Sequence, residues 1–389
     1  MVNHSHDRAT NHQLAFVVES FARAGSQRHV LEILKGIQLF RPDLNCTLFL
    51  ISPPGNISQT FLPEISKAGI NLAVVPYVYS RHGGKTLYAR VYNWLSRHWR
   101  EKRLNRVLYE QLKAFPSLVC VQPFVADLLL PNLQPNQRLC FHLSEHRSQR
   151  PDHRHYKLLQ HSRVYTVFQH CSQISQLPVS VNMLQTLTWP LRLCPDHFPE
   201  SAETPVQPSG RLRIAHYSRI SPMRLIDKVI DAFAVLHQQA PASLRIAGFI
   251  EDPAYHQSLL AQIDRLGHSE VVSFDDPVPV PAEDPAKMEV DLVWMISLSG
   301  HIGYAGLEAM AAGLPTLFLE VDSLVANHSS DPELTGLICT TPQQLVERSR
   351  QLHADPSAFK QQQAQLVRRR FMTTKQSIDD LTAFYLGQS

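Results

Sequence analysis

The chain has 389 residues, 44% hydrophobic and 18% charged, which is more than one hydrophobic core usually organises and far from a disordered composition. With 37 Lys and Arg against 34 Asp and Glu the formal charge is +3, so no global electrostatic reason to expect nucleic acid exists. Six cysteines (Cys46, Cys120, Cys140, Cys171, Cys194 and Cys339) form no C-x-x-C pair, which argues against a zinc ribbon or a disulfide scaffold and fits a reducing cytosol.

The polar opening stretch Met1–His12 does not read as a signal peptide. The first strand is expected at Leu14–Ser20, an apolar run, followed by a turn at Gly25 and a helix whose apolar spacing runs through Val30, Leu34 and Ile37. Asn45–Ser52 reads as the next strand, then a helical stretch to Lys67, then a strand over Ala68–Pro76. Further strands are expected at Val119–Pro123, Arg138–His142 and Tyr165–Gln169. Strands alternating with helices predict a parallel sheet covered on both faces.

Pro190–Ser209 carries five prolines and little periodicity, which suits a linker. The alternation then restarts, with strands at Arg211–Tyr217, Ser243–Phe249, Glu270–Phe274, Asp291–Ile296 and Pro315–Glu320. Helices are expected at Leu225–Gln239, Tyr255–Leu266, Tyr304–Ala312, Gln343–His353 and Pro356–Phe371. This gives a first domain over 1–189, a second over 190–372 and a tail helix over 373–389 whose Ile378, Leu381, Phe384 and Tyr385 are expected to pack back on the first domain. The expected architecture is α/β, two Rossmann-like doubly wound domains facing across a cleft, with ligands at the carboxyl ends of the strands. The longest apolar runs, such as Leu14–Val18 and Leu292–Ile296, are too short to span a bilayer.

The most informative segment is Ser297–Glu320, S-L-S-G-H-I-G-Y-A-G-L-E-A-M-A-A-G-L-P-T-L-F-L-E. A strand, a small-residue loop and then a helix leave free backbone N–H groups at the helix start, where phosphate oxygens are stabilised. Gly300 and Gly303 would let the backbone approach a ligand, and Glu308, about one turn into the helix, could take hydrogen bonds from ribose hydroxyls. The alternative by spacing alone is a loop that only closes a sheet, with Glu308 solvated.

Residues L-E-A-M-A-A-G-L-P-T in this segment resemble the L-E-A-M-A-x-G-x-P-V block of GT-B glycosyltransferases, above all the retaining, group 1 type family 4. Y-S-R-I-S-P-M-R-L-I-D-K-V-I-D-A-F resembles that family's G-R-L-x-x-x-K-G-x-D-x-L-I-x-A-F block, and F-V-V-E-S-F-A-R-A-G-S-Q-R its opening strand and glycine loop. The resemblance implies a sugar moved from a nucleotide-diphosphate donor, of UDP or GDP type, to an acceptor hydroxyl, with retention and with no metal or other cofactor. It implies Arg219 and Arg224 as the pair holding the diphosphate, with Arg224 where the family has lysine. Ser299, Gly300, His301, Ile302, Gly303, Tyr304 and Glu308 fall in the donor-binding stretch. The family's first motif glutamate falls on Gly300, so Ser299, His301 or a water would have to replace it. His142, after a strand of the first domain, matches a family histidine facing the reacting sugar, with His146 nearby as the other candidate and a satisfied core or surface histidine as the alternative. Gly25 and Ser26 occupy the acceptor or diphosphate loop.

The expected partners are a nucleotide sugar and a glycan, lipid-linked or protein acceptor, with no nucleic acid. Arg90–Arg106 mixes Trp94, Leu95 and Trp99 with six Lys and Arg residues, which suits a peripheral contact with the inner face of a membrane or, in the reading preferred here, a helix packing its aromatic stripe on the core. Arg150–Lys157 reads as a histidine-rich solvated loop. A cytoplasmic location is expected. Competing functions are a non-catalytic GT-B partner or carbohydrate-binding subunit, a GT-B protein O-glycosyltransferase, and a nucleotide-sugar epimerase or hydrolase.

Overall fold

The structure of the protein, a computed structural model, describes residues 13–19, 25–51, 62–75, 106–143, 154–169, 173–174, 177, 179–195, 210–278, 281, 284, 289–297, 302–320 and 336–388. The chain divides into two units, Met1–Arg192 with Thr373–Ser389, and Leu193–Met372. The division falls three residues beyond the expected start of the second domain at Pro190.

The first unit is built on seven parallel strands in the order β3-β2-β1-β4-β5-β6-β7. They are β1 (Gln13–Val18), β2 (Asn45–Leu50), β3 (Asn71–Val74), β4 (Ser117–Cys120), β5 (Arg138–Leu143), β6 (Val164–Phe168) and β7 (Thr186–Thr188). A central parallel strand is buried on both faces, so β1 is apolar along nearly its whole length. Along β5 the faces alternate, with Leu139, Phe141 and Leu143 in one core cluster and Cys140 in the other. The helix Gly25–Phe40 covers the second face with Val30, Leu31, Ile33, Leu34 and Ile37.

The tail helix, Lys375–Leu386, joins that same cluster through Ile378, Leu381, Phe384 and Tyr385, each at most 4% exposed. Burial of such side chains is worth roughly 1.5–3 kcal/mol apiece. A Thr374–Ser377 capping box starts the helix and Gly387 ends it at φ 72°. Its close approach to the helix Gly25–Phe40 depends on Gly36, where a Cβ would lie 2.8 Å from Ile378 Cδ1.

The second unit repeats the plan with six parallel strands in the order β10-β9-β8-β11-β12-β13. These are β8 (Leu212–Tyr217), β9 (Ala242–Ala247), β10 (Val272–Asp275), β11 (Leu292–Ser297), β12 (Thr316–Glu320) and β13 (Ile338–Cys339). Helices Ile226–His237 and Pro342–Ala354 pack on Trp294 and Leu317, and Trp294 Nε1 donates to Ser349 Oγ at 2.9 Å. The helix Tyr304–Ala311 lies close against β12 because a Cβ on Gly306 would stand 2.6 Å from the Phe318 ring.

Several elements differ from the sequence reading. The strand expected at Val119–Pro123 is Ser117–Cys120, because Pro123 opens the helix Pro123–Leu129, where a missing N–H costs nothing. The histidine-rich stretch expected as a loop enters a helix at Arg154–Leu159, anchored by buried Tyr156, Leu158 and Leu159. The edge strands β7 and β13 are too short to carry a period-2 signal. Residues 90–105 lie outside the described residues, and Arg106 begins a helical stretch over 106–112. Among the described residues no helix is long and apolar enough to cross a membrane, and Cys46, Cys120, Cys140, Cys194 and Cys339 are free thiols.

Candidate functional site

In each sheet the strand order reverses beside the first strand, between β1 and β4 and between β8 and β11. Loops leaving the carboxyl ends on either side of such a reversal diverge and leave a crevice for a ligand. In the second unit the flanking segments are 218–225 after β8 and the loop from β11 into the helix Tyr304–Ala311.

Segment 218–225 is held by its neighbour after β9. Ser218 N donates to Ala247 O at 3.2 Å, Ile220 N to Phe249 O at 2.8 Å, and Glu251 N back to Ile220 O at 3.1 Å. A Cβ on Gly248 would sit 1.7 Å from Ser218 O, so only glycine lets the two loops meet. Arg219 projects from this clasp, one-third exposed, with Nη1 donating to Glu251 Oε1 at 2.8 Å. An exposed pair of this kind is worth at most about 1 kcal/mol, so an incoming anion can compete for the guanidinium.

Arg224 closes the 3-10 turn Pro222–Arg224, directly before Leu225. Leu225 has φ 50°, the one non-glycine residue with positive φ among the described residues. The family block resembled by this segment has glycine there, so a side chain occupies a left-handed position beside the cation. Behind the turn, His216 is buried and donates Nδ1–H to the Trp294 carbonyl at 2.8 Å. Burial, with Arg224's charge as a further contribution, lowers its pKa to about 4, so the imidazole is neutral at physiological pH.

The helix Tyr304–Ala311 starts from an extended Gly303, whose lack of a side chain supplies no cap to the leading turn. Ile302 and Tyr304 are buried, and Gly303 is exposed with open space where a Cβ would be. Glu308 is 7% exposed, buried on the helix, which corrects the solvated alternative. Ser299, Gly300 and His301 lie outside the described residues. On the other side of the sheet end, Arg245 bridges Asp275 and Asp284, and Tyr217 donates to Asp284 Oδ2 at 2.6 Å. That buried acid fixes the segment following β10 to the strand ends; neither it nor His216 carries a motif that sequence reading could have used.

In the first unit Gly25 and Ser26 begin the helix Gly25–Phe40. Gly25 has open space around a notional Cβ, so no close backbone contact requires it, and Ser26 Oγ donates to Gln27 Oε1 at 2.8 Å. His142 matches the core-histidine alternative. It is 1% exposed in the core, with Nδ1 3.0 Å from His29 Nε2 and Nε2 2.6 Å from the Tyr385 hydroxyl. Position 142 falls on the β5 face that carries Cys140, toward the helix Gly25–Phe40 and the tail helix, so strand alternation turns it inward. Burial lowers the pKa of His29 to about 4 and of His142 well below the ordinary value, which leaves a neutral Tyr385–His142–His29 chain tying the tail helix to β5. His146 lies outside the described residues.

Residues 198–369 match the family described as glycosyl transferases group 1. Among solved structures, HepE of Anabaena in complex with UDP and glucose is similar at TM-score 0.70 and 16% identity, over 97% of this chain and 99% of that one. Sucrose-phosphate synthase from Thermosynechococcus elongatus is similar at TM-score 0.66 and 15% identity, over 96% and 98%. A glycosyltransferase from Rickettsia africae matches at TM-score 0.65 and 13% identity, over 97% and 100%. At these identities the likeness establishes the fold.

Proposed function

We propose, on the premise that this chain is a GT-B glycosyltransferase whose second domain belongs to the group 1 family, that it transfers a sugar from a UDP- or GDP-sugar to an acceptor hydroxyl with retention and without a metal. The observation that carries this reading is the pairing, at one topological switch point, of two arginines on the β8 turn with the glycine-led start of the helix Tyr304–Ala311 after the adjacent β11. Two cations and a set of backbone amides can neutralise a departing diphosphate, and they do so most strongly as the glycosidic bond breaks. Arg224 in place of lysine offers a bidentate fork where a point charge is usual.

In this reading Arg219 and Arg224 take the diphosphate oxygens, amides of Ile302–Tyr304 add donors, and Glu308 binds the ribose. Ser299, Gly300 and His301 meet the donor sugar. With no carboxylate assigned to face the anomeric carbon, the acceptor hydroxyl attacks from the side of the leaving phosphate, which takes its proton. HepE, whose structures hold UDP and UDP-glucose, supports the choice of donor class. The acceptor is a glycan, lipid-linked or protein hydroxyl.

The test is a panel of UDP-, GDP-, ADP-, dTDP- and CMP-sugars, with thermal stabilisation and free nucleotide followed together. One UDP- or GDP-sugar should stabilise the protein and slowly lose its nucleotide to water, faster with the right acceptor. Stabilisation without release in the presence of acceptor extracts would instead fit a carbohydrate-binding subunit. No stabilisation by any donor would remove the donor site.

A further inference from the structure

His216 is a buried group of the second unit that the proposed chemistry leaves unused. It is the penultimate residue of β8, three positions before Arg219 and eight before Arg224. The regular β8–β11 pairing registers Leu292 with Ile214 and Val293 with Ala215 and goes no further. At the next position the His216 side chain takes over, donating Nδ1–H to the Trp294 carbonyl at 2.8 Å. A carbonyl can only accept, so Nδ1 carries the proton and Nε2 is left as a bare acceptor. That Nε2 is buried and has no hydrogen-bond partner among the described residues, in a side chain 1% exposed. An orphaned buried acceptor is costly, and natural interiors keep few of them.

His216 shares the face of β8 that carries Leu212 and Ile214 toward the helix Ile226–His237, whose entry turn is Pro222–Leu225. The cation of that turn is Arg224, and the residue after it is held in the left-handed region. Arg224's charge reaches the His216 imidazole, and the strained Leu225 follows Arg224 directly in the chain. A strained residue and an orphaned buried acceptor are features that functional sites keep and plain scaffolds shed.

We infer that His216 is a positioning residue for Arg224: its Nε2 accepts one guanidinium N–H of Arg224 when the opposite edge of that guanidinium engages the donor diphosphate. The inference rests on the reading of Arg224 as a diphosphate ligand. An arginine presents several N–H donors in one plane, so one edge can be fixed while the other binds an anion. The protonation state fits, since burial holds the imidazole neutral and able to accept.

Calorimetric titration with UDP and with GDP, using whichever binds more tightly, tests this in a double-mutant cycle on the full chain. His216→Asn keeps a donor where Nδ1 stands and deletes Nε2, whereas His216→Gln places a carboxamide near Nε2. Loss of a hydrogen bond to a charged group predicts roughly tenfold or more weaker nucleotide binding for His216→Asn. His216→Gln should recover part of it. In an Arg224→Met background, itself weakened, His216→Asn should change affinity by less than about twofold, since the group it acts through is gone. An equal loss in both backgrounds, or no loss in either, overturns the positioning role while the diphosphate site stands. Full affinity in Arg224→Met alone, or no binding of either nucleotide by the intact protein, overturns the site reading and the inference with it. Thermal midpoints recorded alongside separate these outcomes from misfolding, because the Asn and Gln variants should rank differently in affinity and in stability.

Discussion

Replacing Gly248 with alanine should disable the Arg219 loop without touching a charged residue. The added Cβ would fall 1.7 Å from Ser218 O and 2.7 Å from Ser218 C. Both are backbone atoms, so no side-chain rotation relieves the clash, and about 1.7 Å or more of main-chain displacement is needed to reach ordinary contact. The same peptides carry the Ser218–Ala247 and Ile220–Phe249 hydrogen bonds, which such a shift would stretch. Overpacking costs about 1–3 kcal/mol and a weakened backbone bond about 1 more. A total near 3 kcal/mol lowers the thermal midpoint of a domain of this size by roughly 6–12 °C. Scanning calorimetry with nucleotide titration reads both consequences, a lower midpoint and weaker binding. Gly210→Ala, where nothing lies within 4 Å of the new Cβ, is the matched control. A Gly248→Ala protein with unchanged midpoint and unchanged affinity would refute the argument that this loop needs glycine to place Arg219.

Arg219→Ala should abolish donor turnover yet leave stability within about 0.5 kcal/mol, since its guanidinium pairs with the exposed carboxylate of Glu251; denaturant titration and nucleotide release measure the two sides. Tyr385→Phe removes the hydroxyl 2.6 Å from His142 Nε2 and should cost about 1–3 kcal/mol in urea unfolding, and an unperturbed transition would contradict the buried chain. Acid should weaken both units. The unfolded forms of His29 and His216 take up protons near pH 6.5 whereas the folded forms wait until about pH 4, so stability rises with pH across this window. The contribution is complete above 6.5 and shrinks toward pH 4 by about 3 kcal/mol per histidine, which denaturant midpoints at stepped pH would show and a flat profile would contradict.

The alternation of strand and helix was legible because segments such as Leu14–Val18 and Leu292–Met295 are buried on both faces and so stand out as continuous apolar runs. Boundaries slipped where a proline had two readings, as at Pro123, and where an edge strand had two or three residues. Arg219, Arg224 and Glu308 could be singled out through a motif block. Gly248 could not be understood that way, because its reason is a carbonyl thirty residues earlier in the chain. His142 shows the reverse error. A histidine at a strand's carboxyl end reads as a ligand-facing group, yet the pleat turned it into the core, where His29 and Tyr385 occupy both nitrogens. No spacing rule reports which face a single strand residue takes when both faces are buried.

The central claim is that the β8 turn holds a donor diphosphate through two arginines. Its most direct measurement is calorimetric titration of the intact protein and of the Arg219→Ala, Arg224→Ala double variant with UDP and GDP. The account predicts saturable binding of one nucleotide by the intact protein, lost by roughly a hundredfold or more in a variant that stays folded, as expected when two charge-assisted contacts go. Equal affinity of the two proteins for the same nucleotide would contradict it.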